Sequence, residues 1–307
     1  MGLARGLALW AVDNPWLREH LPRYRWVRRS VARFMPGEAL DDAIAAAAGL
    51  RERGQPTMFT YLGENVTDLT DAQGVAEHYR VAYQRISDAG LQTEISVKPS
   101  HLGLDLDAAS TFTRLDELAG VAADHDNWLW LDMESHAYVE PTLELYRKLR
   151  AGHPNVGVCL QAYLKRTADD VDSLMPLDPT IRLVKGAYRE PREIAFGSRE
   201  VIDEAYRRLA LLILARKGPV GRLALGTHDV ALVKQIEADV RSRDGFEIHT
   251  LFGIRQGDVL RMRGEGYETR SLISYGSNWY PWFMRRIAEK PVANSLLALR
   301  NLFSRPG

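Results

Sequence analysis

The chain has 307 residues, 46% apolar and 26% charged, with Lys+Arg and Asp+Glu balanced at 40 each. That neutrality argues against nucleic acid as the main partner, because a duplex-binding surface carries a basic excess. The single cysteine, Cys159, cannot form an internal disulfide and suits a reducing cytoplasm, and no run approaches the roughly 18 apolar residues of a membrane span.

Residues 1–35 carry seven arginines (Arg5, Arg18, Arg23, Arg25, Arg28, Arg29, Arg33) against Asp13 and Glu19, interleaved with Trp10, Trp16 and Trp26. Arginine beside tryptophan suits an anionic lipid surface, so peripheral contact with the inner face of the cell membrane is one reading; helices packed on the body of the fold is the plainer one. The apolar stretch Leu7 to Val12 is shorter than a signal-peptide core. With the alanine-rich run Asp41 to Leu50, residues 1–56 read as a helical segment that packs on a body spanning 57–307. The tail, with Leu296, Leu297, Leu299, Leu302 and Phe303 beside Arg300 and Arg305, is also amphipathic.

From Thr57 a short β-branched or aromatic run followed by a stretch of helical period recurs about every 30 residues. Eight strands are predicted: 57–63, 92–98, 127–133, 155–161, 180–188, 221–227, 246–252 and 269–276. Helical stretches include Asp71 to Ala89, Leu106 to Asp124, Val139 to Ala151, Ser198 to Lys217 and Asp229 to Arg241. Alternation implies parallel βαβ units, and eight of them favour closure into a (β/α)8 TIM-type barrel over an open doubly wound sheet.

Barrels place their chemistry at the carboxyl ends of the strands. Those ends carry Lys98, Asp132, Gln161, the pair Thr227-His228 and Tyr275, while strand five carries Arg182, Lys185 and Tyr188. Side chains alternate faces along a strand, so Arg182 and Val184 point one way and Leu183 and Lys185 the other; only one of the two cations can line the mouth directly. Gly186 removes a side chain where a flat ligand or another backbone approaches, or is a plain turn glycine. Thr227-His228-Asp229 opens a helix and suits either a phosphate or an ordinary N-cap.

After the last strand, Ser277 or Asn278 can cap a helix with Pro281 in its first turn, which puts Arg285 and Arg286 well inside it. Neighbours on a helix diverge by about 100°, so the two guanidiniums meet only if a small anion lies in the sector between them, with Glu289 placed to brace one of the two; a solvated Arg-Arg-Glu face is the other reading, and it loses ground beside Trp279, Tyr280 and Trp282 and beyond Tyr275. The sequence lacks G-x-S-x-G, H-E-x-x-H, a P-loop and G-x-G-x-x-G. Asp132, Glu134 and His136 in DMESH leave a metal-assisted barrel open as an alternative, and Lys185 a Schiff-base one acting on a small carboxylate.

At SVKPS (96–100), LDMES (131–135), LQAYLKR (160–166), RLVKGAY (182–188), LGTHD (225–229) and YGSNWYPWFMRRIAE (275–289) the chain resembles the proline dehydrogenase family, monofunctional bacterial type. The resemblance implies a distorted (β/α)8 barrel that holds FAD noncovalently. L-proline would lose a hydride from C5 to flavin N5, giving pyrroline-5-carboxylate, and the electrons would pass to a quinone. It implies no metal site. The family's carboxylate clamp falls on Lys98, Arg285 and Arg286, and its ring-contacting tyrosines on Tyr188 and Tyr275. Asp132 is similar to the active-site aspartate, suited to holding Lys98, and Arg182 to the residue beside flavin N5. Gln161 falls at the pyrimidine edge; Met133, Val184, Lys185, Gly186 and Ala187 line the flavin; Thr227 and His228 meet its phosphates. Glu289 is similar to the residue bracing the arginine helix. Trp282 departs from the family's tyrosine, which puts substrate fit or flavin exposure in question there.

Overall fold

Strand and helix alternate strictly from Thr57 onward in a computed structural model that describes residues 14, 16, 20, 24 and 31–289, the side chains of 285–289 excepted. The order is α1 (Leu40–Arg51), β1 (Thr57–Tyr61), α2 (Leu69–Asp88), β2 (Thr93–Val97), α3 (Ala108–Asp124), β3 (Leu129–Leu131), α4 (Val139–Gly152) and β4 (Val156–Gln161). It continues with α5 (Thr167–Leu174), β5 (Ile181–Val184), α6 (Arg199–Arg216), β6 (Leu223–Gly226), α7 (Val230–Val240), β7 (Glu247–Leu251), α8 (Gln256–Gly264), β8 (Thr269–Tyr275) and α9 (Trp279–Glu289). All strands pair in parallel in sequence order, and β8 closes on β1 from Thr57↔Ser271 to Tyr61↔Tyr275.

Each expected strand is present but trimmed. β5 stops at Val184 because Gly186 adopts φ 116°, leaving Lys185 to Tyr188 in the loop beyond. What crowds Gly186 is the ring of Tyr163, 2.2 Å from where a Cβ would stand, so the missing side chain makes room for an aromatic of this chain. The helices start at short polar caps: Asp68 accepts from Thr70 N, Asp107 from Ala109 N, and Ser198 from Val201 N.

Outward-facing strand residues such as Phe59, Ile95, Leu131, Val158, Leu183 and Ile273 form one apolar layer with the helices, to which α1 adds Ala43, Ala47 and Leu50. The inside of the barrel is different. Branched aliphatics usually fill it; here Met58, Trp130 and Ala224 share it with charges. Trp130 fits because its β4 neighbour is Gly157, where a Cβ would lie 2.6 Å from the indole. Beneath the indole, Glu94 accepts from Trp130 Nε1 at 2.6 Å and Arg222 at 2.9 Å, and pairs with Arg270 at 3.0 Å.

A second apolar cluster joins residues 31–35 to α9: Val31, Phe34 and Met35 pack with Leu62, Trp279, Tyr280, Trp282 and Phe283. Trp279 Nε1 donates to Glu38 Oε1 at 3.0 Å, pinning the start of α9 beside the barrel mouth. The segment preceding the barrel thus packs on it at Val31 to Met35, while most of the arginine-rich stretch before it lies outside the described residues, as does the tail after Glu289. Among the described residues no helix is long and apolar enough to cross a membrane.

Candidate active site

Alternation along β2, β3 and β5 brings Ser96, Asp132 and Arg182 to the inner wall of the barrel. Arg182 is 4% exposed, and its charge is tolerable because its two terminal nitrogens and one face of the guanidinium are engaged. Nη1 donates to Met58 Sδ at 2.8 Å and Nη2 to Ser96 Oγ at 2.9 Å and to Asp132 Oδ1, while Trp130 lies beneath at 5.3 Å. Burial is the largest single influence and works against this charge, but Asp132, Cys159 and Glu94 together outweigh it and hold the Arg182 pKa above the ordinary arginine value. Asp132 Oδ2 faces Lys98 Nζ at 3.9 Å. Lys98, the expected partner of Asp132, and Arg182, which sequence reasoning did not pair with it, therefore meet it on different oxygens.

Lys185 takes the other face of its strand. Its ammonium turns to the helix layer, where it pairs with Asp203 and, at 3.0 Å, with Asp229. That disposition answers which of the two cations lines the mouth. The residues of DMESH also part company. Asp132 goes to Arg182; Glu134 accepts from Ser100 N and Oγ at 3.1 and 2.6 Å; His136 pairs with Glu190. They do not converge on a common point as metal ligands must. Burial raises the Glu134 pKa.

Gln161 is buried; its amide Nε2 donates to the Glu134 carbonyl at 3.1 Å, and its Oε1 has no hydrogen-bond partner among the described residues. Met133 is buried nearby in sequence, and Val184, Gly186, Ala187 and Tyr188 are half-buried along the strand end and the loop after it. Asp229 caps α7 by accepting from Leu232 N at 3.3 Å, while its own N–H donates to Thr227 Oγ1 at 3.1 Å, so an ordinary cap is formed at LGTHD. His228 Nε2 accepts from Leu251 N at 3.1 Å, which places the ring proton on Nδ1.

Tyr275 stands apart from this wall. It is fully buried on the helix-facing side of β8, with Phe59 and Tyr61 at 5.8 and 5.4 Å between ring centroids, and its hydroxyl meets His78 Nε2 at 2.9 Å. Arg285, Arg286 and Glu289 fall on the backbone of α9 as expected, with Pro281 in its first turn, but their side chains lie outside the described residues.

Sequence reasoning missed Ser96, Met58, Trp130 and Glu94. The signal was present: Glu94, Ser96 and Lys98 alternate with Ile95 and Val97, a polar stripe on one face of a strand whose other face is apolar.

A closed parallel barrel with a charged, partly unsatisfied mouth defines a TIM-type enzyme barrel. The sequence profile described as Proline dehydrogenase matches residues 43–297, and the chain belongs to that family, which makes it an oxidoreductase. It is 33% identical to Proline dehydrogenase 1 of Bacillus subtilis (strain 168) over 307 residues, 99% of this chain and 100% of that one. It is 32% identical to the Proline dehydrogenase of Deinococcus radiodurans over 298 residues, 94% of each. Among solved structures, proline utilization A (PutA) from Bdellovibrio bacteriovorus inactivated by N-propargylglycine superposes with TM-score 0.79 at 20% identity, which shows the fold. That likeness covers 93% of this chain and 36% of the longer PutA chain.

Proposed function

We propose that the chain oxidises L-proline to 1-pyrroline-5-carboxylate with FAD as the bound cofactor, the first step of proline catabolism, and that the electrons go on to a quinone. The observation that carries this reading is the Lys98–Asp132–Arg182 array: two cations held by one carboxylate at the mouth of a barrel of this family. The residues suit a flavin. Gln161 Oε1 is a buried acceptor without a donor among the described residues, and the imide N–H of an isoalloxazine would supply one.

When bound, FAD supplies the acceptor for the hydride that leaves proline C5. Lys98, with Arg285 and Arg286 from α9, binds the proline carboxylate and fixes the ring; a forked clamp gives the near-contact geometry that hydride transfer needs. Tyr188 bounds the substrate ring in this reading. Arg182 brings positive charge to the side where negative charge arrives, and Asp132 keeps both cations in place. Met133, Val184, Lys185, Gly186 and Ala187 line the cofactor, largely through backbone, and Thr227 and His228 hold its phosphates. Glu289 braces α9. In this reading residues 1–56 form a helical segment on a catalytic barrel over 57–307.

An absorption spectrum tests the proposal. Purified protein should be yellow and should bleach on addition of L-proline; colourless protein that fails to take up FAD and needs a divalent metal would overturn it. Peripheral membrane contact through the arginine- and tryptophan-bearing N-terminus is a separable part of the proposal. Equal flotation on anionic liposomes with and without residues 1–35 would remove it.

A further inference from the structure

Ser96 is fully buried at the centre of the array. Its hydroxyl donates to Asp132 Oδ1 at 2.9 Å and accepts from Arg182 Nη2 at 2.9 Å. A serine hydroxyl has one proton and can accept as well as donate, and an arginine can only donate. The direction of both bonds is therefore fixed: the proton goes to the carboxylate, and the lone pair takes the guanidinium. Ser96, Asp132 Oδ1 and Arg182 Nη2 form a closed triangle across β2, β3 and β5.

We propose that Ser96 is a positioning residue that sets the rotation of the Asp132 carboxylate, so that Oδ1 is committed to Arg182 while Oδ2 stays turned to Lys98. Rotation is the degree of freedom at issue. A carboxylate beside a guanidinium gains most by meeting it with both oxygens, and doing so here would withdraw Oδ2 from Lys98 Nζ, 3.9 Å away. The serine bond occupies Oδ1 from the β2 side and resists that swing. Lys98 lies two residues beyond Ser96 just past the end of the same strand, so one stretch of backbone sets both the lysine and the hydroxyl that keeps its counter-ion available. A single buried hydroxyl thereby couples the group that holds the substrate carboxylate to the cation that faces the cofactor.

The inference rests on the proline-oxidation reading, and its test separates the two. FAD-loaded wild type, Ser96→Ala and Ser96→Thr are compared for flavin content, unfolding temperature, midpoint potential of the bound flavin, and kcat and KM for L-proline. Ser96→Ala, with flavin content and unfolding temperature near wild type, should lose about tenfold in kcat/KM and shift the flavin potential to more negative values, because one donor and one acceptor vanish from a buried charge pair. Ser96→Thr keeps the hydroxyl and should restore both. Wild-type potential and kcat/KM in Ser96→Ala, or equal loss in the two variants, overturns the role of Ser96 while proline oxidation stands. A wild type that takes up flavin but leaves proline unoxidised overturns both.

Discussion

Arg182 and Asp132, 50 residues apart in the chain, meet side chain to side chain inside the barrel, the arginine almost entirely shielded from water. A guanidinium in that position is stable only with its counter-charge, since removing one partner of a buried pair strands the other. Asp132→Ala should therefore lower the free energy of unfolding by roughly 3–5 kcal/mol. Asp132→Asn, which keeps an acceptor for Arg182 and Ser96, should lose less. Urea titration of the three proteins checks the order, and an Asp132→Ala variant as stable as wild type would mean that Arg182 has found water or another anion.

The carboxylate clamp gives a prediction of different kind. Replacing Arg285 or Arg286 by Met should weaken proline binding by roughly 2–5 kcal/mol with flavin retained, because a charged partner is removed from a desolvated anion. Titration of the flavin spectrum with proline measures it. Unchanged affinity in both variants would place the clamp elsewhere on α9 or off it.

The parts of this molecule that follow a local rule were legible in its residues. Strand–helix alternation gave all eight strands, since each needs only a short β-branched run between polar breaks, and the residues at their ends included Lys98, Asp132 and Arg182. Alternation also told that Arg182 and Lys185 part company, though not which one goes inward; tertiary charges decide that, Asp203 and Asp229 drawing Lys185 outward. Trp130 fits inside the barrel because of a glycine 27 residues away in a neighbouring strand, a relationship that exists only once β3 and β4 are in register. The destination of Tyr275 was hidden for the same reason, because His78 comes to it from α2 across 197 residues.

Glu94 carries the floor of the barrel as Asp132 does the mouth. It takes the indole N–H of Trp130 and faces both Arg222 and Arg270, at 7% side-chain exposure. Glu94→Ala should cost roughly 3–5 kcal/mol in unfolding free energy, because two half-buried arginines lose a shared carboxylate and a buried indole loses its acceptor. Glu94→Gln keeps an acceptor and should lie between. If Glu94→Ala unfolds at the wild-type urea midpoint, Glu247, which meets Arg222 at 3.0 Å and Arg270 at 3.7 Å, alone suffices to hold both arginines.

Acid stability should bear the mark of His101, which is 7% exposed, stacks on Tyr61 at 5.4 Å and stands near Lys98. Burial first, then the positive charge of Lys98, brings its pKa from 6.5 down to about 4, against a smaller opposing pull from Glu64. The folded protein thus keeps His101 neutral where the unfolded chain protonates it. Stability is fully present above pH 6.5 and is lost as pH falls toward about 4, below which both states carry the proton. The whole loss from this group is roughly 3 kcal/mol, at about 1.4 kcal/mol per pH unit on the steep part. His78, whose pKa burial also lowers, adds to the same slope, while Glu134, whose pKa burial raises, works against it by taking up its proton more readily in the folded state. Subtraction isolates His101: with any constant packing cost set aside, the unfolding free energies of wild type and His101→Gln should coincide above pH 6.5 and separate as the pH falls toward 4, the wild type dropping by roughly 3 kcal/mol more than the variant. Parallel curves would show that His101 titrates alike in both states and that its neutral form has no part in holding the mouth of the barrel.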